Sequence, residues 1–115
     1  MDERLEKAFQ TANYMATLGN LRKTAQEEYN QSLIYYFQGS SFTVSRELIV
    51  FVHTLTELGN TESILLDDNN IPLNVTNLKE FLTNILNVYG QATNEYLIKY
   101  TDLRSKRRVG DLVGL

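Results

Sequence analysis

Residues Leu78 to Leu103 read LKEFLTNILNVYGQATNEYLIKYTDL, and their apolar side chains recur at alternating steps of four and three. The positions that share this spacing are Leu78, Leu82, Ile85, Tyr89, Ala92, Tyr96, Lys99 and Leu103. The spacing predicts one long helix over about residues 77–107, with these side chains on a single packing face. Two interpretations stay open, because such a seam packs either inside its own domain or against a helix of another chain. Lys99, its charged member, is expected to set helix alignment and not to catalyse.

The N-terminal third of the chain predicts a second long helix, over about residues 2–37. Two overlapping sets of apolar and small residues follow helical spacing there: Leu5, Phe9, Ala12, Ala16 and Gly19, then Leu18, Leu21, Ala25, Tyr29, Leu33 and Phe37. The pair Gly19-Asn20 is a weak point, but good helix formers follow it at once, which favours a continuous helix.

Between the two helices the periodicity changes, which predicts a small β/α body over about residues 41–75. The segments predicted for it are a strand at Ser41–Val44, a helix at Arg46–Leu58, and two strands at Ile64–Leu66 and Ile71–Leu73. Ser45 is a good helix N-cap, and Gly59 suits the left-handed C-terminal cap. The predicted fold is therefore α+β and mostly helical, in the order α-β-α-β-β-α. It has two long antiparallel helices, one short helix and a three-stranded antiparallel sheet.

Length and composition set the broad class of protein. The 115 residues suffice for a single domain, expected to span residues 1–115 with a short tail at 109–115. The chain has no cysteine and a net charge of −3, and its N-terminal residues are charged rather than apolar. We therefore expect a cytoplasmic protein without a membrane span or a disulfide.

The segment Asp67-Asp68-Asn69-Asn70 is the stretch that most resembles a metal site. A calcium loop of the EF-hand type needs glycine at its sixth position and glutamate at its twelfth, but counting from Asp67 gives Pro72 and Leu78. Because Asp and Asn also favour tight turns, the segment predicts a hairpin turn and no metal. On that interpretation, replacing Asp67 and Asp68 together by asparagine should leave the fold nearly unchanged.

No catalytic motif is evident in the sequence. His53 is the only histidine and lacks the spacing of a metal ligand pair, while nucleotide-binding and hydrolase fingerprints are absent. We therefore expect a protein that is not an enzyme, with no catalytic residue, no bound metal and no cofactor.

The basic run at residues 104–108 is the one concentrated charge feature, and three interpretations of it stay open. It complements the negative end of a helix dipole, it binds an anionic protein, or it contacts nucleic acid. Exposed tyrosines and the apolar tail also favour a binding surface at this end of the chain. The residues expected to bind a partner are Arg104, Lys106, Arg107, Arg108, Tyr100, Leu103, Leu112 and Leu115.

Three segments together carry a resemblance to a group of known proteins. These are GSSFTVSRELI at residues 39–49, LLDDNNIP at residues 65–72, and Asn94-Glu95-Tyr96 followed by the basic end. Taken together, they resemble small uncharacterised proteins of tailed marine cyanophages. The resemblance implies a viral protein made in an infected bacterium, and it implies no activity and no site residues.

The function expected from these features is a small binding or adaptor protein, homo-oligomeric and acting on a host or phage protein. Self-association is expected because long helices outreach a small body and leave apolar stripes uncovered. If the outer seam lies between chains, Leu103→Asp should dissociate the oligomer without unfolding it. The alternatives are a nucleic-acid-binding accessory factor, an oligomer that sequesters a small ligand, and a structural component of a virion.

Overall fold

The computed structural model describes the backbone of residues 2–112 and the side chains of residues 2–106. Its elements in chain order are α1 (Glu3–Ser32), β1 (Ile34–Phe37), β2 (Ser40–Thr43), α2 (Arg46–Glu57), β3 (Ser63–Leu66), β4 (Pro72–Val75) and α3 (Leu78–Leu112). The described chain is mostly helical, and its strands form two separate antiparallel hairpins. It divides into two compact units, of which one holds residues 30–93 and the other holds the described residues before and after them.

The unit of residues 30–93 is built around α2, the two hairpins and the first half of α3. Its core consists of fully buried apolar side chains: Phe42, Val44, Val52, Leu65, Val75, Leu78, Phe81 and Ile85. Burial of each such side chain contributes about 1.5–3 kcal/mol before opposing entropy is counted. Phe81 lies at the centre of an aromatic group, edge-on to the rings of Tyr35, Phe37 and Phe42 at centroid distances of 5.7, 5.5 and 5.2 Å.

Local hydrogen bonds explain where the helices of this unit begin and end. Ser45 caps α2, because its hydroxyl accepts from the Leu48 N–H at 3.1 Å. At the other end, Gly59 has a φ of 88°, and the Asn60 N–H donates to the Leu55 carbonyl, which is a Schellman closure. These two caps lie at the predicted residues, and the helix itself ends at Glu57, one residue before the predicted Leu58. At the start of α3, Asn77 caps the helix: its Oδ1 accepts from the Glu80 N–H at 3.1 Å, and its Nδ2 donates to the Glu80 carboxylate at 3.3 Å.

The second unit is an antiparallel helix pair formed by residues 3–29 of α1 and the described residues of α3 from Asn94 onward. The small core between these helices consists of Leu18, Ala25 and Leu103, with Tyr14 packed against it. The Tyr14 hydroxyl donates to the Lys106 carbonyl, and the Tyr29 and Tyr96 rings meet edge-on at 4.7 Å. Low residue numbers of α1 thus meet high numbers of α3, which confirms the predicted antiparallel packing.

The predicted three-stranded sheet is wrong. The first strand of the body, β2, pairs with β1 through a two-residue turn at Gln38 and Gly39. Both turn residues have positive φ, 50° and 79°, as a type I′ hairpin requires. The far edge of β2 meets a turn instead of a third strand. There, the Asp68 N–H donates to the Ser41 carbonyl at 2.9 Å.

The predicted ends of both long helices also need correction. The first helix is continuous through Gly19 but ends at Ser32, and Ile34–Phe37, predicted as helix, is strand β1. The aromatic and β-branched residues of β1 suit a strand. The step of four from Leu33 to Phe37 matches helical spacing only by coincidence. The last helix continues to Leu112, so residues 109–112 of the predicted tail are helical. Residues 113–115 lie outside the described chain.

Candidate functional site

The Asp67 carboxylate is a structural group of the hairpin turn between β3 and β4. Its side chain is only 6% exposed. Its Oδ1 accepts hydrogen bonds from the Asn69 N–H at 2.8 Å and from the Ile71 N–H at 2.9 Å. The bond from Ile71, then those from Asn69 and from the Ser40 side chain, hold the pKa of Asp67 below its ordinary value, although burial opposes them.

Asp68, the next residue, joins this turn to the free edge of β2. Its Oδ1 accepts from the Thr43 N–H at 2.8 Å, and its Oδ2 accepts from the Thr43 hydroxyl at 3.0 Å. Both carboxylates therefore satisfy backbone donors, which confirms the predicted turn. These hydrogen bonds change the prediction for replacing both residues by asparagine: we now expect a loss of stability, because a neutral amide cannot accept them as strongly. Among the described residues, no group of three or more His, Cys, Asp or Glu could hold a metal ion.

The basic end of α3 is only partly available for a partner. Arg104 and Lys106 are exposed, and the Lys106 ammonium contacts the Asp102 carboxylate of its own helix at 3.2 Å. This i,i+4 pair neutralises part of the local charge, so it weakens the case for a phosphate-binding surface. The side chains of Arg107 and Arg108 lie outside the described part of the structure.

The remaining residues expected to bind a partner lie in different environments. Tyr100 is exposed, next to Tyr96. Leu103 is buried against Leu18 and Ala25 of the same chain, so it is not available to a second molecule. Leu112 ends α3, with a side chain outside the described part, and Leu115 lies outside it altogether.

A small recess lies between the two helices of the helix pair. Its volume is about 200 Å³, and its walls carry the Glu28–Lys99 ion pair and the Asp102–Lys106 ion pair. Lys99 therefore forms an exposed ion pair at the rim and is not buried in the seam. Pockets for small ligands usually measure about 300–1,000 Å³. The recess therefore offers weak support for a protein that sequesters a small ligand.

The surface best suited to binding is the exposed side of α2, which we name the α2 outer face. It consists of Val50, Phe51, Thr54 and Leu58, and Arg46 and Glu47 flank it. Val50 is 62% exposed, Phe51 53% and Leu58 75%, while the opposite side of the helix packs into the core through Val52. An apolar centre with a charged rim is the usual anatomy of a protein–protein interface.

A second exposed apolar surface lies on the β3–β4 hairpin. Ile64 and Leu66 point away from the core, while Leu65 between them is buried. Ile71, in the turn, is also exposed. Ordinary half-buried strands carry polar residues at outward positions, so these residues make a further apolar patch in the unit of residues 30–93.

Sequence interpretation missed the α2 outer face, although the sequence contains a signal for it. Residues Leu48 to Val52 read LIVFV, a run of five apolar residues. Five consecutive residues cover more than a full helical turn, so a helix that carries them cannot bury them all on one side. His53 lies on the same helix and is exposed, with its Nε2 3.5 Å from the Glu57 Oε1.

Comparison of the chain with protein families, with curated proteins and with solved structures finds no match. Within the described chain, no helix combines the length and the apolar character needed to cross a membrane. The function proposed below is therefore based on the exposed surfaces of the structure.

Proposed function

We propose that this protein is a non-enzymatic binding or adaptor protein that acts on another protein and works as a homo-oligomer. The observation that carries the proposal is the α2 outer face, where Val50, Phe51 and Leu58 remain largely exposed. Contiguous apolar patches on soluble proteins usually mark interaction sites. The resemblance to cyanophage proteins favours a host or phage protein as the partner, met in the cytoplasm of an infected bacterium.

The partner that fits this face is a protein with an apolar groove or patch and polar groups around it. Phe51 supplies the largest contact area, and aromatic side chains at the centre of an interface often dominate its binding energy. Arg46 and Glu47 carry opposite charges at one end of the face. Their charges nearly cancel, so they help to orient the bound partner and add little overall electrostatic attraction.

Capture of the partner from a bacterial lysate, with two matched variants, tests the proposal. Phe51→Glu places a charge in the centre of the face, while Asn87→Glu places the same charge at an exposed position of α3. We expect the partner to co-purify with the parent and with Asn87→Glu, and to be lost with Phe51→Glu at an unchanged melting temperature. Equal capture by all three chains would contradict the proposal. Retention on DNA that falls steeply with salt would instead support the nucleic-acid alternative.

A further inference from the structure

Helix α1 carries an apolar stripe that its own chain leaves uncovered among the described residues. The stripe consists of Leu5, Phe9, Ala12, Ala16 and Gly19, which follow steps of four, three, four and three. All five are exposed, with Leu5 at 48% and Phe9 at 54%. At 100° per residue they fall within about 80° of arc, so they form one continuous face, named here the α1 outer stripe.

The stripe lies on the far side of α1 from the contact with α3. Leu18 and Ala25, which pack against Leu103, lie roughly 150° around the helix from the centre of the stripe. The two apolar sets of the N-terminal sequence thus have different places in the structure. Leu18, Ala25 and Tyr29 of the second set contact α3 of the same chain, while the first set faces outward.

The composition around the stripe is unlike that of a solvated helix face. Residues 8–21 contain no charged side chain, although only Leu18 among them is buried. Met15, beside the stripe, is 41% exposed and widens it. A helix that faces water on most sides normally carries charges there, so this charge-free length indicates a surface that another helix covers.

The order of side-chain sizes along the stripe points to a second copy of the same helix. Its N-terminal end carries the large residues Leu5 and Phe9, and its C-terminal end carries the small residues Ala16 and Gly19. Apart from its chain neighbours and the backbone of its own helix, no described atom lies within 4 Å of the place where a Cβ on Gly19 would sit, so that position has room for a partner side chain. An antiparallel second copy would set Leu5 opposite Gly19, Phe9 opposite Ala16, and Ala12 opposite itself. A parallel copy would set large against large and small against small.

Charges at the two ends of the stripe favour the same orientation. Asp2 precedes the stripe and Lys23 follows it, and at 100° per residue both lie within about 60° of its centre. The antiparallel register that pairs Phe9 with Ala16 brings Asp2 of one copy opposite Lys23 of the other. In a parallel pair, each of these residues would instead face its own sign of charge, which is unfavourable.

We propose that two copies of this chain associate through the α1 outer stripe, antiparallel and two-fold symmetric about Ala12. The inference rests on the homo-oligomer in the proposed function and assigns the surface and the orientation. A symmetric interface of this kind is self-complementary, because every contact from a residue of one copy to a residue of the other is repeated with the two copies exchanged.

Cysteine cross-linking tests the orientation directly, since the chain contains no cysteine of its own. Ala12→Cys and Ala16→Cys make the same small change at two stripe positions. In the antiparallel pair, the thiols that Ala12→Cys introduces would lie within disulfide reach of each other, while those of Ala16→Cys would be about 12 Å apart along the axis. We expect Ala12→Cys to form a covalent dimer at least tenfold faster than Ala16→Cys. Equal rapid cross-linking of both would overturn the antiparallel orientation.

Sedimentation equilibrium of Ala16→Glu and Thr17→Glu tests the surface, because both positions are exposed and adjacent but only Ala16 belongs to the stripe. We expect Ala16→Glu to raise the dimer dissociation constant at least tenfold and Thr17→Glu to leave it nearly unchanged. If the parent is an oligomer that Ala16→Glu does not weaken, the inference fails while homo-oligomerisation stands. If the parent is monomeric, the inference and homo-oligomerisation fail together, and capture through Phe51 decides the partner-binding part separately.

Discussion

At the scale of single residues, the carboxylates of the β3–β4 turn hold local structure together through hydrogen bonds. Asp67 accepts hydrogen bonds from Asn69 and Ile71, and Asp68 accepts them from Thr43 of the neighbouring hairpin. Composition alone predicted a turn here, because Asp and Asn favour such backbone conformations. The bond to Thr43 was not predictable, since it depends on a hairpin 25 residues away.

Replacing Asp67 by asparagine should lower stability in a pH-dependent way. The folded pKa of Asp67 lies below its ordinary value of 3.8, so ionised Asp67 stabilises the native state at neutral pH. That contribution is lost as pH falls below about 4, through the lowered folded pKa. The melting temperature of the parent should therefore exceed that of Asp67→Asn at pH 7, and the difference should shrink towards pH 3. A difference that stays constant over this range would show that the charge of Asp67 does not stabilise the fold.

At the scale of elements, periodicity predicted the helices well and the strand pairing poorly. The seam of α3 is buried at Leu78, Ile85, Ala92 and Leu103, as its spacing predicts. The β1–β2 hairpin was missed because Leu33 and Phe37 continued the helical spacing of α1. The sequence features that indicate this hairpin are the aromatic pair Tyr35-Tyr36 and the glycine of the turn. Both are typical of a β-hairpin, and they are stronger evidence than the helical spacing of Leu33 and Phe37.

Truncation of Ile85 should destabilise the unit of residues 30–93. Ile85 is fully buried in its core, and Ile→Ala changes at such sites cost about 2–5 kcal/mol. Leu86, the next residue on the same helix, is 47% exposed, so Leu86→Ala should stay within about 0.5 kcal/mol of the parent. Urea unfolding of the three chains measures both values. Equal losses for the two variants would contradict the observed helix orientation.

The buried position of Leu103 changes the outcome that we expect from Leu103→Asp. Because it packs against Leu18 and Ala25 of its own chain, Leu103→Asp should unfold the helix pair and lower the helical signal at every protein concentration. Leu97 is 61% exposed on the same helix, so Leu97→Asp is the matched control and should keep the parent's helical content. Circular dichroism over a range of concentrations separates the outcomes. If Leu103→Asp keeps the helical content of the parent and only changes from oligomer to monomer, Leu103 lies at an interface between chains, as the sequence first suggested.

At the scale of the whole molecule, the described chain has more apolar side chains than its own cores bury. One apolar set of α1 packs against α3 while the other faces outward, and α2 is apolar on two sides. The sequence predicted both α1 sets and the excess of apolar surface. The sequence could not show which of the two α1 sets packs against α3 and which faces outward, because both follow the same helical spacing. Only the contact with Leu103 in the structure distinguishes them.

The mass of the parent protein in solution tests most directly whether the outward apolar surface is an interface between copies. The chain has a mass of 13.2 kDa. Sedimentation equilibrium from about one to a few hundred micromolar should show a transition towards twice that mass, because the fraction of dimer rises with protein concentration by mass action. A mass of 13.2 kDa at every concentration in that range would contradict self-association and leave the α1 outer stripe without its proposed partner.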